Sequence, residues 1–535
     1  MPKEVLIQRC LSFAMKTFTR QKVTVKEIPR LTVPIKMARN IEKVKLKKII
    51  QEEALRKQRK GALLITCKNK KYNFHVNGKF DENNPRELAS HGWKHYKSAM
   101  ARDFFTINAH GMNPAVLKDT EQCGFSDLKI GEELCQRLKA VGIEIPTDVQ
   151  RKTIQEILQG KNVMCAAQTG SGKTLAYLLP IMENILRQKS YSLRQFPDDE
   201  DTNSPRALIL VPSRELAQQL MDVAALFEDL LVFRAWTGGS HTMAKAKYTR
   251  REPIDVLIST PGALKMFLTL GKVRPSQLQH VVLDEADTLL DDSFFHDIRF
   301  IFTKLHVHGG KAIQNQGSSG IQINLVSATM PRDLQNNIGS MISIDSIAKV
   351  TSRCLHSLLP HITQTFIRLR KSDKPGEILK IARYNLENKV PSMIFCNHSK
   401  TSYFVMKFLE ENNIPSIILN GEIKTQYREG KFEEFQREMS DIIVCTDVAS
   451  RGLDTIRTRH VVNYDFPDFV SDYIHRSGRV GRIGSQGHGT VTSFISEKWD
   501  VDLLWKIETA VRRGQTLHNV NANIKRKLEG AEDSW

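Results

Sequence analysis

The 535 residues are 41% hydrophobic and 26% charged with a formal net charge of +19, ordinary for a globular protein with room for two or three domains. No run of 18 apolar residues occurs, which excludes a transmembrane helix. The eight cysteines form no C-x-x-C pair, so they read as free core thiols in a reduced compartment rather than as disulfides or a zinc site.

The charge is concentrated at one end. Residues 1–100 hold 24 Lys+Arg against 8 Asp+Glu, +16 of the total. Such an arm suits nucleic acid, or a solvated or targeting extension. Over the first twenty residues a helical wheel puts Arg9, Lys16 and Arg20 on one face and Ile7, Leu11, Met15 and Phe18 on the other. That pattern favours a mitochondrial transit segment over residues 1–40 and a matrix location. A nuclear or nucleolar address through basic residues 43–60 is the competitor. Residues 41–60 read as a charged helix within a basic extension over 41–120, irregular from 61.

From about residue 125 a strand–helix rhythm runs twice. Its first half, residues 121–345, has strands at Asn162–Ala166, Ala207–Val211, Asp255–Ser259, His280–Leu283 and Gln322–Val326. Its second, residues 363–515, has Ser392–Cys396, Ser416–Leu419, Asp441–Cys445, Val461–Tyr464 and Gly489–Phe494. Helices are expected at Arg214–Leu226, Gln426–Gln436 and Val470–Ser477. The fold class is α/β: two parallel-sheet domains in tandem behind a basic N-terminal extension. Residues 195–205 and 306–320 read as surface insertions, 346–362 as a linker and 516–535 as a tail.

The chemistry begins at Ala167-Gln168-Thr169-Gly170-Ser171-Gly172-Lys173-Thr174. In a loop of this kind backbone N–H groups wrap phosphate oxygens, Lys173 neutralises β/γ charge and Thr174 holds Mg²⁺. Ala167 replaces the usual first glycine. Downstream, the apolar strand Val281-Val282-Leu283 ends in Asp284-Glu285-Ala286-Asp287. There Asp284 would share the Mg²⁺ and Glu285 would polarise the attacking water. Loop and carboxylates together point to nucleoside triphosphate hydrolysis.

Further segments carry a resemblance. Gly142 to Gln150, Pro212-Ser213-Arg214-Glu215-Leu216-Ala217, Gly238-Gly239, Thr260-Pro261-Gly262, Ser327-Ala328-Thr329, Thr446 to Asp454 and His475 to Arg482 stand in the order seen in DEAD-box RNA helicases, and the chain resembles that family over residues 125–482. The resemblance implies two RecA-like domains, ATP and Mg²⁺ as cofactors, RNA as partner, and a monomer that remodels structured RNA. It implies that Gln150 reads the adenine edge and Phe125 stacks on the base. Pro212, Arg214, Gly239, Thr260, Gly262, Arg428 and Thr446 would contact RNA, and Asp454 the ribose of ATP. Asp287, Ser327 and Thr329 would couple hydrolysis to strand separation. His475, Arg479 and Arg482 would complete the catalytic set from the second domain, the arginines reaching the γ-phosphate. Ala263 departs from the family's arginine, and Thr425 from its glutamine, with Gln426 one place late.

Because catalytic groups fall on both domains, hydrolysis should require a closed cleft, which RNA and ATP would stabilise reciprocally. Leu88-Ala89-Ser90-His91-Gly92-Trp93-Lys94 and Leu289 to Phe294 resemble a mitochondrial branch of the family linked to assembly of the large ribosomal subunit. Ribosomal RNA is therefore the expected substrate, with ribosome-assembly proteins as possible partners. A nucleotide-gated RNA clamp without useful unwinding is the alternative.

Overall fold

The computed structural model describes residues 62–76, 78, 80, 87–111, 123–195, 204–238, 254–291, 293–305, 320–330, 337–339, 341–352, 355–423, 430–447, 456–482, 488–517 and 520. The proposed transit segment and the charged helix over 41–60 lie outside them.

In chain order the strands are β1 (Leu63–Cys67), β2 (Phe74–His75), β3 (Phe104–Ile107), β4 (Asn162–Ala166), β5 (Ala207–Leu210), β6 (Phe233–Trp236), β7 (Val256–Ser259), β8 (His280–Asp284), β9 (Gln322–Ser327) and β10 (Ile347–Thr351). The second half adds β11 (Thr363–Arg368), β12 (Ser392–Cys396), β13 (Ile417–Leu419), β14 (Ile442–Thr446), β15 (His460–Asn463) and β16 (Thr490–Ile495). Strands β4 to β10 form one parallel sheet in the order β10-β4-β9-β8-β5-β7-β6. Its central strands, such as His280-Val-Val-Leu-Asp284, are buried on both faces, which is why they read as continuous apolar runs.

The second sheet runs β13-β14-β12-β15-β16-β11-β3-β1-β2. Its strands from β13 to β11 are parallel, whereas β3 joins β11 antiparallel and is followed by the β1–β2 hairpin. This corrects the expectation of an irregular extension from residue 61. Residues 62–110 instead complete the second domain's sheet, and then lead to the first domain. Phe105 stacks on Phe366 at 5.0 Å between ring centroids and packs against Trp93 at 5.6 Å.

The Leu88–Lys94 segment docks on the last helix, Lys498–Arg513. Glu508, fully buried, accepts from the Ala89 and Ser90 backbone N–H groups at 2.7 and 3.1 Å and from Ser90 Oγ. It pairs with Arg512 at 2.8 Å, while Trp505 Nε1 donates to Ser90 O.

The linker also needs correction. Residues 347–351 pair with β4, so the first domain extends to Thr351 and only residues 352–362 cross over. Two further strands that the sequence did not suggest are β6 and β11.

Candidate active site

Parallel α/β sheets bind ligands beyond the carboxyl ends of their strands. Here the 167–172 loop follows β4, Ser327 ends β9 and Asp284 ends β8, with β9 between the other two. The loop therefore faces the acidic tetrapeptide across Ser327-Ala328-Thr329.

Gly170 and Gly172 adopt φ of 79° and 80°, a region open to glycine, and a Cβ at Gly172 would collide with Gln150 Nε2. Ala167 carries no positive φ and is fully buried, so glycine is not required there. Lys173 Nζ donates to Ala167 O at 2.8 Å and Gln168 O at 3.0 Å. Burial pulls its pKa below the lysine value, opposed by the charge of Asp284.

Asp284 accepts from Tyr177 Oη and from the Glu285 N–H, both at 2.9 Å. Burial first, and Glu285 second, push its carboxyl up to about 6. Tyr177 lies one turn beyond Lys173 and Thr174 on helix Lys173–Gln195, a helical spacing that could have marked it in the sequence. Glu285 is a non-glycine residue at φ 53°, backbone strain of the sort found at functional sites.

The second domain completes this cluster. Arg479 Nη2 lies 3.9 Å from Glu285 Oε1, and His475 Nε2 donates to Asp287 Oδ2 at 2.8 Å. Thr169 Oγ1 donates to Gly478 O at 3.3 Å, where a side chain at Gly478 would strike Thr169. Asp287 also accepts from the Thr329 N–H and hydroxyl, and Ser327 Oγ donates to Thr329 O at 2.6 Å. Burial raises the Asp287 pKa, but the charge and hydrogen bond of His475 and the hydroxyls of Thr329 and Ser327 outweigh it. The carboxyl lies below the usual range.

A cavity of 1220 Å³ between the domains is lined by Thr169, Gly170, Gly172, Lys173, Thr174, Asp284, Glu285, Ser327, Arg479 and Arg482, with Arg214 on the same wall. The donor set fits a nucleotide phosphate chain: beyond Lys173, the Ser171 hydroxyl is buried without a protein partner. The cavity also fits Mg²⁺, which is held by one or two protein oxygens and otherwise by phosphate and water, since both Thr174 and Asp284 line it. Among the described residues no group of three His, Cys, Asp or Glu could cage a metal.

Other candidates lie elsewhere. Phe125, 3% exposed, packs in the first-domain core beside Leu128 and Ile130 rather than on the cavity wall. Gln150 closes a capping box with Thr147 and donates Nε2 to Gly172 O at 3.1 Å, while Thr147 Oγ1 donates to Ser171 O. Its amide thus braces the phosphate loop. The T-x-x-Q spacing at Thr147 and Gln150 is itself a helix-start signature, a structural role visible in the sequence.

Pro212 and Thr260 follow β5 and β7, and Thr446 ends β14. The Arg214 guanidinium lies against Gly238. Gly262 and Ala263 lie in the first turn of helix Pro261–Thr269, where Ala263 is buried with Leu264 and Phe267. Gly239, Thr425, Gln426, Arg428 and Asp454 lie outside the described residues. Arg476, which the sequence reading left without a role, is 1% exposed. It binds Asp447 through Nε at 2.7 Å, Asn397 Oδ1 at 2.7 Å and Asp465 O at 2.7 Å, tying three strand ends of the second domain together. Its place in the same basic run as Arg479 and Arg482 hid that structural duty. The six described cysteines are all thiols, and no described helix is long and apolar enough to cross a membrane.

Residues 147–337 match the DEAD/DEAH box helicase family model and residues 373–484 the helicase conserved C-terminal domain. The chain is 38% identical over 524 residues to "Probable ATP-dependent RNA helicase DDX28" of Homo sapiens, covering 94% of each chain. It is 33% identical to "DEAD-box ATP-dependent RNA helicase 39" of Arabidopsis thaliana, covering 75% of this chain and 63% of that one. Its fold is similar to Mss116p bound to ssRNA and AMP-PNP, with a TM-score of 0.61 at 24% identity over 75% of this chain and 80% of that one. It is also similar to S. cerevisiae Dbp5 bound to RNA and ADP BeF3, with a TM-score of 0.59 at 23% identity over 74% and 94%. Two RecA-like domains carrying these motifs in this order place the chain in the DEAD-box family of ATP-dependent RNA helicases.

Proposed function

We propose that this helicase uses RNA-stimulated ATP hydrolysis to open short structured segments of mitochondrial ribosomal RNA during large-subunit assembly. The observation that carries the mechanism is the pairing across the cleft, Arg479 toward Glu285 and His475 on Asp287. Mg²⁺, when bound, supplies neutralisation of phosphate charge. Thr174 and Asp284 would hold it, Lys173 would exchange its loop carbonyls for β/γ oxygens, and Glu285 would orient and deprotonate the attacking water. Arg479 and Arg482 stabilise charge developing at the γ-phosphate, a contribution on the order of 10³–10⁵ in rate for such arginines. Arg214, Thr260 and Thr446, on the rims of both domains, take RNA phosphates. Gly239, Gly262 and Arg428 join them, while Asp454 takes the ribose of ATP.

The address rests on the first 40 residues, where only Glu4 and Glu27 interrupt the positive charge. Two measurements test the proposal: imaging of the full chain against one lacking residues 1–40, and crosslinking with sequencing of bound RNA. Matrix localisation lost on truncation, with reads concentrated in large-subunit ribosomal RNA, is the expected result. Nucleolar localisation unaffected by truncation would refute the compartment. Matrix reads spread evenly over messenger RNA would refute the substrate.

A further inference from the structure

The segment that crosses between the domains is gripped at both ends by histidines. His356 Nε2 accepts the Met330 N–H at 2.9 Å, directly after Ser327-Ala328-Thr329. Its own carbonyl accepts the Leu517 N–H at 3.0 Å, beyond the last helix of the second domain. Its backbone lies at φ 61°, a conformation that a β-substituted residue adopts when its surroundings over-determine it. Five residues on, His361 Nε2 lies 2.8 Å from Gly481 O, one residue before Arg482. A side chain at Gly481 would strike the His361 ring, so histidine and glycine fit only as a pair.

We propose that His356 is a positioning residue that couples cleft closure to RNA strand separation, by holding the Met330 amide and the second domain at one point of the crossing segment. The nucleotide cluster reaches Thr329 through Asp287, and Asp287 is held by His475 when the domains meet. The next N–H in the chain, Met330, donates to His356. The closing domain therefore sets the geometry of the segment leaving β9 through one imidazole acceptor. A ring nitrogen accepts only when it carries no proton. Burial holds the His356 pKa below the ordinary histidine value, with Asp287 as the opposing charge, so the accepting form prevails at neutral pH.

The inference rests on strand separation being the useful output, and the experiment distinguishes its failure from failure of that reading. His356→Phe keeps a flat ring and the same backbone demand but removes the acceptor, whereas His356→Gln can restore one. His356 is not on the wall of the nucleotide cavity, so KM for ATP should stay within about twofold in both. In His356→Phe the ATP hydrolysed per RNA duplex opened should rise by about tenfold, the effect of depriving one part-buried amide of this acceptor. His356→Gln should return to within about threefold of the wild type. An unchanged ratio in His356→Phe, or equal impairment of Phe and Gln variants, overturns the proposal. No duplex opening by the wild type at full ATP turnover would instead refute strand separation itself.

A measurement on the unmodified protein covers the case of a misfolded variant. With ¹⁵N-labelled histidine and methionine, a through-bond coupling between Met330 N–H and an unprotonated His356 Nε2 should appear with RNA and a non-hydrolysable ATP analogue. A protonated Nε2 in that complex overturns the proposal.

Discussion

Replacing Glu508 with alanine should unfasten residues 62–110 from the second domain. The carboxylate is fully buried and serves two backbone N–H groups, the Ser90 hydroxyl and the Arg512 guanidinium. Its removal strands Arg512, itself 5% exposed, and losing one partner of a buried pair is worth about 3–5 kcal/mol. Arg512 keeps Tyr72 O at 2.9 Å and the face of Phe74 at 5.2 Å, which sets the expectation at the lower end, about 3 kcal/mol. For a domain of this size that corresponds to a fall of roughly 6–12 °C in the second-domain melting temperature. Glu508→Gln keeps the shape and one acceptor and should lose about half as much. Differential scanning calorimetry reads both, and amide exchange at Ala89 and Ser90 locates the change. A Glu508→Ala melt within 2 °C of wild type would refute the dock as a stabilising element.

Three more outcomes follow from the geometry. Gly478→Ala should lower RNA-stimulated kcat at least tenfold with little change in ATP affinity, because the added methyl strikes Thr169 only when the domains meet; stopped-flow nucleotide binding alongside steady-state turnover separates the two. Glu285→Gln should trap RNA with ATP bound and abolish turnover, and RNA-stimulated hydrolysis at normal speed would remove Glu285 as the base. Burial lowers His280 and His460 each to about 4. The unfolded chain then binds more protons between pH 4 and 6.5, so stability rises with pH across that window and is lost as pH falls. Each histidine contributes about 3 kcal/mol in total across that window, and denaturant titrations of His460→Gln should show the second domain's dependence flattened.

The phosphate loop, the acidic tetrapeptide and the two arginines were legible because each packs its chemistry into a few consecutive residues. Strands buried on both faces were legible for the same local reason: Ser392–Cys396 stands where it was expected. What stayed hidden depends on distant partners. Strand β10 buries only two of its five residues, and β6 has one buried residue, so neither shows a continuous apolar run. Strand β3 is short and finds its β11 neighbour hundreds of residues away, as with Thr106 beside Thr365, and β1 joins the sheet only through β3. The Leu88–Lys94 segment looked like a family signature; its physical meaning is the Glu508 carboxylate it covers. Phe125 shows the limit from the other side, since stacking platform and core residue are written with the same letter.

The central claim is that catalysis is divided between the domains. Arg482 lines the nucleotide cavity from the second domain, so Arg482→Ala measures that division directly, by fluorescent-ATP titration and RNA-stimulated turnover on the same preparation. The expected result is a nucleotide Kd within about threefold of wild type and a rate lower by on the order of 10³. Equal losses in binding and rate, or unimpaired turnover, would contradict a split active site.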